Sequence, residues 1–396
     1  MIEVRTLVVS WAALALAGCS TTYAAGDGAD RPKLQPVELT QPPPRDPGDL
    51  QVLFWDTDER SARFRAMEDW FAGHEVPAAT TPRELQQGEP LSDALAAEIR
   101  RTMEATGAAG VMVWQDGAVR FEEYALGFGP EQRWTSFSVA KSFTSTLLGA
   151  AVKDGFIASL DDQVTTYIPG LAGSVYDGVT VRQLATMTSG VAWNEDYTDP
   201  DSDVAQMQKF INSDGANAIV AQMKDLSREA EPGKKWLYKT GETNLLGLLV
   251  ENAVGLPLAI YAQEKLVEPA GFAGDLFWMI DPRGGNIGGC CLSLTLSDYT
   301  RMGLFALEGG GNVVPEGWFA EAGSPVVNFE ERPGFGYGYQ WWVYPGSYGA
   351  QGIFGQSITI VPEEDLVVAI VSNWPTATGA NRGAWFQMLQ KIAAAD

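Results

Sequence analysis

Histidine is almost absent from this chain, since its 396 residues include one histidine, His74. A Ser-His-Asp triad would depend on that residue, and no serine stands in a Gly-x-Ser-x-Gly elbow. We therefore interpret His74 as a structural or surface residue. One histidine and two adjacent cysteines also cannot supply an ordinary zinc site, so we expect no metal.

Cysteine is scarce as well, with three residues in the whole chain. Cys290 and Cys291 are neighbours, and Cα atoms about 3.8 Å apart lie closer than the usual disulfide range. We expect no disulfide framework and interpret the pair as two small buried side chains rather than reactive thiols. The chain is long enough to form a large hydrophobic core without covalent cross-links.

Positively charged residues are also few. The chain has 27 Lys and Arg and 50 Asp and Glu, which gives a net charge of −23. Sequence-independent nucleic-acid binding needs a basic surface, so this class of function is excluded. The acidic residues form no long run, and we interpret them as a solvated surface. The overall composition, 45% hydrophobic and 19% charged, is that of a folded globular protein.

The only notable hydrophobic run near the start extends from Leu7 to Ala17, after Arg5. It is too short to span a bilayer and is typical of a secretory signal. The run ends in Leu16-Ala17-Gly18-Cys19, which resembles the lipobox of bacterial lipoproteins. We predict a signal peptide over residues 1–18 and a lipidated Cys19, with the protein facing the periplasm or cell surface. An ordinary signal peptide that happens to contain a cysteine is the alternative.

The rest of the chain can be divided by its amino-acid composition and periodic patterns. Residues 19–50 are rich in Pro, Gly and polar residues and predict a flexible linker. Residues 51–91 predict a wrapping segment, and residues 92–396 a domain whose helical lobe covers about 160–283. Strand patterns lie at both ends of this domain, with turns at 115–117 and 362–364, and a last helix is predicted over 384–394. These patterns favour an α+β fold.

One stretch, "RWTSFSVAKSFTSTLLGA" from Arg133 to Ala150, places Ser138 three residues before Lys141. Apolar residues follow every four positions, which predicts a buried helix with both side chains on one side of its first turn. Serine needs a base to act as a nucleophile, and a desolvated lysine can accept a proton. The motif alone is weak, because Ser-x-x-Lys occurs often by chance.

Several segments in a fixed order resemble the serine β-lactamase superfamily. They are Ser138-Val139-Ala140-Lys141, "LATMTSG", "PGKKWLYKTGETNLLG", "GYGYQWWV" and "GIFGQ". The resemblance extends from about Leu91 to the C-terminus. In this region the chain is most similar to the class C-like branch, which includes esterases and 6-aminohexanoate-dimer hydrolases. It implies an antiparallel sheet flanked by helices beside a helical lobe, and no metal or organic cofactor.

The resemblance also implies roles for particular residues. Ser138 is acylated, Lys141 serves as its base, and Tyr238 shuttles protons, helped by a pKa lowered beside a cationic lysine. Thr240 stands where the family has an Asn that contacts substrate. The backbone N–H groups of Ser138 and Ile353 form the oxyanion hole.

Lys239-Thr240-Gly241 spells a motif that β-lactamases carry on a strand. Here it overlaps the Tyr238 element and continues into a helical pattern, so we do not place it on the strand beside the nucleophile. That position better matches Ala350-Gln351-Gly352, which offers no cation for a substrate carboxylate.

Aromatic residues are expected to surround the cleft, namely Trp193, Tyr197 and Trp341, with Gly352 on the strand. Asp199 and Asp203 are expected in a loop above it. We predict an acyl-enzyme hydrolase of small carboxyl esters or linear amides, with membrane contact only through the lipid anchor. A β-lactamase or D-Ala-D-Ala peptidase, and an inactive ligand-binding member of the family, are the alternatives.

Overall fold

The computed structural model of the protein describes residues 34–207 and 217–395. The predicted signal peptide, Cys19 and the first part of the predicted linker lie outside these residues. Glu38–Thr40, inside the stretch predicted as linker, forms a strand that pairs with Gly73–Val76. The folded part therefore begins before residue 50, because these extended residues complete the edge of a sheet.

The strands of the described part form two antiparallel sheets. They are β1 (Glu38–Thr40), β2 (Gly73–Val76), β3 (Ala108–Gln115), β4 (Ala118–Tyr124), β5 (Trp134–Thr135), β6 (Leu276–Met279), β7 (Leu292–Leu294), β8 (Val327–Asn328), β9 (Gly336–Tyr337), β10 (Trp342–Tyr344), β11 (Ser347–Gln351), β12 (Ser357–Val361) and β13 (Leu366–Ser372). The larger sheet has the order β4-β3-β13-β12-β11-β10-β9-β8, and the smaller has β1-β2-β6-β7-β5.

α-Helices account for most of the remaining regular structure of the described residues, with short 3-10 helices and a π-helix at Gln263–Val267 between them. They are α1 (Thr57–Phe64), α2 (Asp93–Thr106), α3 (Ala140–Lys153), α4 (Val164–Tyr167), α5 (Val181–Ala185), α6 (Asp203–Gln206), α7 (Ala218–Lys224), α8 (Thr240–Val254), α9 (Leu258–Ala262), α10 (Glu268–Ala270), α11 (Leu296–Leu307), α12 (Trp318–Ala322) and α13 (Asn381–Ala393). No single helix of the described residues is long and apolar enough to cross a membrane, although the bent pair formed by α8 and residues 258–270 passes on length and composition.

The larger sheet joins the two ends of the domain, as the strand patterns predict. β3 and β13 pair along nearly their whole length, and every residue of both strands is buried. The predicted hairpin turn has Asp116 and Gly117 at positive φ, which suits a two-residue turn between twisted strands. Helices α2 and α13 cover one face of the sheet, and α11 covers the other. The α+β prediction is confirmed.

The predicted helical lobe contains α4 to α10, but it also contains β6, which belongs to the smaller sheet. Helix α3 packs against α8 and is buried along most of its length. The last helix begins at Asn381, three residues before the predicted start at Ala384. Its first turn therefore includes Arg382, which lies before the predicted start.

Candidate active site

Ser138 and Lys141 meet at the start of α3. Ser138 lies in a 3-10 turn, Phe137–Val139, that leads directly into the helix. The Lys141 ammonium donates to Ser138 Oγ at 2.9 Å, to Thr240 Oγ1 at 3.0 Å and to the Gly289 carbonyl at 2.8 Å. The spacing of one helical turn thus places a fixed nitrogen against the serine oxygen, as the sequence predicts.

Burial lowers the pKa of Lys141 to about 7, and the nearby Glu195 carboxylate opposes this shift. The Lys141 side chain is 1% exposed, so its charged form has lost most of its hydration. At neutral pH a substantial fraction of this residue is the neutral amine. That amine can take the Ser138 proton, which answers the need for a base without histidine.

Tyr238 lies beside the same pair. Its ring centroid is 5.1 Å from Lys141 Nζ, and Ser138 is close enough to influence the pKa of its hydroxyl. Burial raises the pKa of Tyr238, the Glu195 charge adds to the rise, and Ser138 and Arg382 oppose it. The expectation of a lowered pKa is therefore wrong: the tyrosine is a neutral phenol, because desolvation outweighs the neighbouring cations. It can relay a proton but is not a resting base.

The sequence analysis missed Glu195, which organises this side of the site. Its carboxylate accepts from Trp193 Nε1, the Tyr197 hydroxyl, and both the backbone N–H (2.9 Å) and hydroxyl of Thr240. Thr240 in turn accepts from Lys141. Thr240 is thus a link between a carboxylate and the lysine and does not line the pocket, in contrast to its predicted contact with substrate.

The two backbone groups expected to form an oxyanion hole are both free. No other group of the described residues accepts a hydrogen bond from the N–H of Ser138 or of Ile353. The residues beside them, Phe137 and Phe354, have φ of 43° and 57°, which is unusual for aromatic side chains. Their rings contact each other and Phe64 of α1, so the wrapping segment supports this backbone geometry.

Gly352 brings the strand β11 close to the nucleophile turn. A β-carbon at this position would lie 2.5 Å from the Ser136 carbonyl oxygen and 3.2 Å from Phe137 Cβ. Only glycine allows the approach that places the next residue, Ile353, beside Ser138. The Gly352 carbonyl accepts from Arg382 Nη2 at 3.0 Å.

A pocket of about 800 Å³ opens at Ser138. Its lining includes Tyr197, Tyr238, Gly352 and Ile353, as predicted from the sequence, together with Trp342. The prediction for the preceding tryptophan is wrong, because Trp341 is fully buried and packs on Phe319 and Tyr348. Alternation along a strand turns neighbours to opposite faces, so Trp342 takes the place expected for it.

The predicted loop above the pocket is only partly as expected. Tyr197 reaches the pocket, whereas Trp193 is buried and contacts it only through Glu195. Asp203 accepts from the Asn194 backbone at 2.7 Å, and Asp199 from the Asp201 backbone at 2.9 Å. Both carboxylates therefore hold the loop's own backbone.

Arg382 is the second pocket residue that the sequence analysis missed. No cation lies on β11, as predicted, but this arginine enters the same pocket from the first turn of α13. Burial lowers the pKa of Arg382. The predicted helix begins at Ala384, two residues after Arg382, so the position of Arg382 in the first turn was not predicted.

Three other sequence features lie apart from the pocket lining. His74 is on β2, where its Nδ1 is 3.2 Å from Asn286 Oδ1 and burial lowers the pKa of the imidazole. Lys239 precedes α8, as its helical context predicts, and forms a buried pair with Glu242 at 3.6 Å. Cys291 is buried, and Cys290 packs against the same hydrophobic core.

Comparisons with known proteins identify the family of the chain. The Beta-lactamase family profile matches residues 95–392. A 6-aminohexanoate-dimer hydrolase of Paenarthrobacter ureafaciens is 31% identical over 309 residues, which cover 72% of this chain and 78% of that relative. The chain therefore belongs to the β-lactamase family of serine hydrolases.

Two further matches are weaker in sequence. A β-lactamase of Pseudomonas fluorescens is 28% identical over 131 residues, which is 33% of this chain and 31% of that relative. A solved Bacillus anthracis structure, described as a candidate 6-aminohexanoate-dimer hydrolase, superposes with a TM-score of 0.77 at 20% identity. That superposition covers 89% of this chain and 98% of the other. At this identity the likeness supports the fold alone.

Proposed function

We propose that this protein is a serine hydrolase that cleaves carboxyl esters or linear amides through an acyl-enzyme on Ser138. The observation that carries the proposal is the 2.9 Å contact between Ser138 Oγ and a lysine whose pKa burial lowers to about 7. Ser138 lines the pocket, and its contact with Lys141 supports a nucleophile–base pair there.

Acylation begins when neutral Lys141 takes the proton of Ser138 as Oγ attacks the substrate carbonyl carbon. The N–H groups of Ser138 and Ile353 stabilise the oxyanion that forms. The Lys141 proton then passes through the Tyr238 hydroxyl to the leaving oxygen or nitrogen, and the carbonyl–leaving-group bond breaks. In deacylation, water gives a proton to Lys141 and attacks the acyl carbon, and the proton returns to Ser138 as the acid departs.

The similarity to a 6-aminohexanoate-dimer hydrolase supports linear substrates for this chain. The match covers 78% of the length of that relative. The β-lactamase match covers 31% of its relative. β-Lactam hydrolysis is a second candidate, because Arg382 supplies a cation that the strand β11 lacks. An inactive binding protein is disfavoured by the intact contacts among Ser138, Lys141 and Tyr238.

A panel of substrates on the purified protein tests the proposal. We expect kcat/KM to be higher for a nitrophenyl butyrate ester than for a chromogenic cephalosporin, with weaker activity on a linear amide. A clear preference for the cephalosporin would move the assignment to the β-lactamase candidate. Absence of turnover on every substrate would favour the binding protein.

We also propose that the chain is exported and anchored through a lipid on Cys19, on the evidence of the Leu16-Ala17-Gly18-Cys19 sequence. A Cys19→Ala chain should leave the membrane fraction or remain unprocessed, because stable anchoring depends on the lipid at this residue. Membrane fractionation and processing identical to those of the parent would contradict the anchor.

A further inference from the structure

Helix α13 covers one face of the larger sheet, and the space beneath it is filled unevenly. Over β13 the space is closed by large buried side chains of both elements, namely Leu366, Val368, Ile370, Trp385, Met388 and Ile392. The neighbouring strand β12 offers smaller groups, because Ser357 pairs with Ile370 and Thr359 with Val368. Residues paired in this way share one face of a sheet, so Ser357 and Thr359 leave a gap under α13.

This gap continues the pocket that opens at Ser138. We call it the α13 channel and define it by six residues of the pocket lining, which are Ser357, Thr359 and Val361 on β12 and Phe386, Leu389 and Ala393 on α13. None of these side chains carries a charge, and the Phe386 ring also contacts Phe335 and Tyr344. The channel is therefore mainly apolar, with two hydroxyl groups on its floor.

The channel leads away from the nucleophile. At its near end Gly352, which lies against the nucleophile turn, accepts from Arg382 of α13 and donates to the carbonyl of Gln356, just before β12. The far end is at Val361, the last residue of that strand. The distance from Ser357 to Val361 is about 13 Å, since a strand rises about 3.3 Å per residue. An extended alkyl chain of about ten carbons has a similar length.

The position of Tyr238 indicates which part of the substrate faces the channel. In the proposed mechanism its hydroxyl passes a proton to the leaving group. Its ring stacks on Trp342 at 5.5 Å, and it is close enough to Arg382, at the near end of the channel, for that charge to influence its pKa. The leaving group therefore lies on the α13 side of the reacting carbonyl.

We propose that the α13 channel binds an uncharged aliphatic arm of the leaving group. This inference rests on the proposed function and names its substrate class: esters of short acids with medium-chain alcohols, or the corresponding amides. Each methylene group that leaves water for the channel favours binding. Because the arm is remote from the reacting atoms, it is bound equally well before and during the reaction, and its effect falls on KM.

Hydrolysis of ethyl, butyl and octyl butyrate tests the channel, with the release of butyrate followed by pH-stat titration below the solubility limit of each ester. We expect kcat/KM to rise about 10- to 100-fold from the ethyl to the octyl ester, mainly through KM. An octyl-to-ethyl ratio near one in the parent chain would overturn the proposal.

Two variants narrow the channel from opposite sides. Leu389→Trp, on the helix, and Thr359→Phe, on the strand, should each reduce the octyl-to-ethyl ratio of kcat/KM about tenfold or more. Gln387→Trp is the matched control, because Gln387 lies on the exposed side of the same helix and does not line the pocket. It should keep the parent ratio. Circular dichroism checks that each variant is folded.

Two results with these variants would count against the proposal. A parent ratio in every folded channel variant, or a reduced ratio in Gln387→Trp alone, would overturn it. Nitrophenyl butyrate and nitrophenyl decanoate place the chain in the acyl group instead. If Leu389→Trp lowered the decanoate-to-butyrate ratio but not the octyl-to-ethyl ratio, the assignment of the channel to the leaving group would be wrong.

Binding of octanol to Ser138→Ala protein separates this inference from the proposed function. We expect calorimetry to show binding that is at least about tenfold weaker in Ser138→Ala/Leu389→Trp. This difference without turnover of any butyrate ester by the parent chain would contradict the proposed function alone. Turnover by the parent chain with equal octanol binding by the two variants would contradict the channel alone.

Discussion

The two ends of the pocket are built on different principles. At the nucleophile end, Ser138, Tyr238 and Glu195 line the pocket, and hydrogen bonds through Lys141 and Thr240 link Ser138 to Glu195. The far wall is rich in aromatic side chains and includes a partly buried arginine. Its members are Phe329, Trp342, Tyr344, Phe386 and Arg382.

This difference separates chemistry from selectivity. Fixed hydrogen bonds hold the reacting groups before any substrate arrives, and such preorganisation is what stabilises a transition state. The far wall offers mainly apolar contact together with the charge of Arg382, and these features distinguish substrates by shape and charge. Changes at the nucleophile end should therefore lower kcat, and changes in the far wall should act mainly on KM.

The largest effect is expected at the base. Lys141→Ala should reduce kcat about 10²- to 10⁴-fold, because no other group at the nucleophile end is a neutral amine close to Ser138. Steady-state kinetics on a nitrophenyl ester measures this loss. Lys153→Ala, at the exposed end of the same helix α3, is the control. Full activity in Lys141→Ala would identify another base.

A buried ion pair beneath the nucleophile end should have the next largest effect. Lys239 and Glu242 are both fully buried, and burial raises the pKa of Glu242 to about 7 despite Lys239. Lys239→Met should lower the free energy of unfolding by about 3 to 5 kcal/mol at pH 8, because a buried carboxylate loses its partner.

The decrease in the free energy of unfolding caused by Lys239→Met should be smaller at pH 5. At that pH Glu242 is protonated in both proteins, so the ion pair is already lost. Urea unfolding at the two pH values measures it. Lys235→Met is the control, because its pair with Glu229 is half-exposed and contributes at most about 1 kcal/mol. A loss equal at both pH values would contradict the ionic account.

Two neighbouring tryptophans test the contrast between the far wall of the pocket and the hydrophobic core. Trp342→Ala should raise KM for a nitrophenyl ester about tenfold with little change in kcat, because it removes apolar contact area. Trp341→Ala should instead destabilise the fold by about 3 to 5 kcal/mol, since it leaves a cavity in the core. Kinetics and thermal unfolding distinguish them, and a KM effect in the Trp341 variant alone would reverse the assignment.

The smallest effect is a shift of the pH profile. kcat/KM should rise with pH through about 7, as Lys141 loses its proton. The Glu195 charge raises the pKa of Lys141, so Glu195→Gln should move this acid limb to lower pH. The exposed Glu363→Gln protein should keep the parent profile. An acid limb that moves upward in Glu195→Gln would contradict the electrostatic role of Glu195.

The sequence predicts the nucleophile end better than the far wall for a physical reason. Ser138 and Lys141 are one helical turn apart, so local periodicity already fixes their contact. The sheet hairpins are likewise local. Arg382 reaches the pocket only because α13 begins at Asn381 and packs near Gly352, thirty positions away in the chain. No local sequence pattern indicates this contact between Arg382 and Gly352.

The aromatic residues show the same limit at finer scale. The sequence "GYGYQWWV" offers two tryptophans, and the choice between them depends on which face of the sheet each occupies. The register of β10 against β9 and β11 decides it, with Trp342 opposite Tyr337 and Gly349. The role of Glu195 could not be predicted from the sequence either. Its partners Trp193, Tyr197 and Thr240 form one cluster only in the folded chain.

Covalent labelling of the nucleophile tests the central claim most directly. A fluorophosphonate probe is incubated with the purified protein across pH 5 to 9, and intact-mass measurement with peptide mapping locates the adduct. The account predicts one adduct, on Ser138, whose rate of formation rises through about pH 7 and which is absent from Ser138→Ala protein. An adduct on another residue, or a rate that does not change with pH in this range, would contradict it.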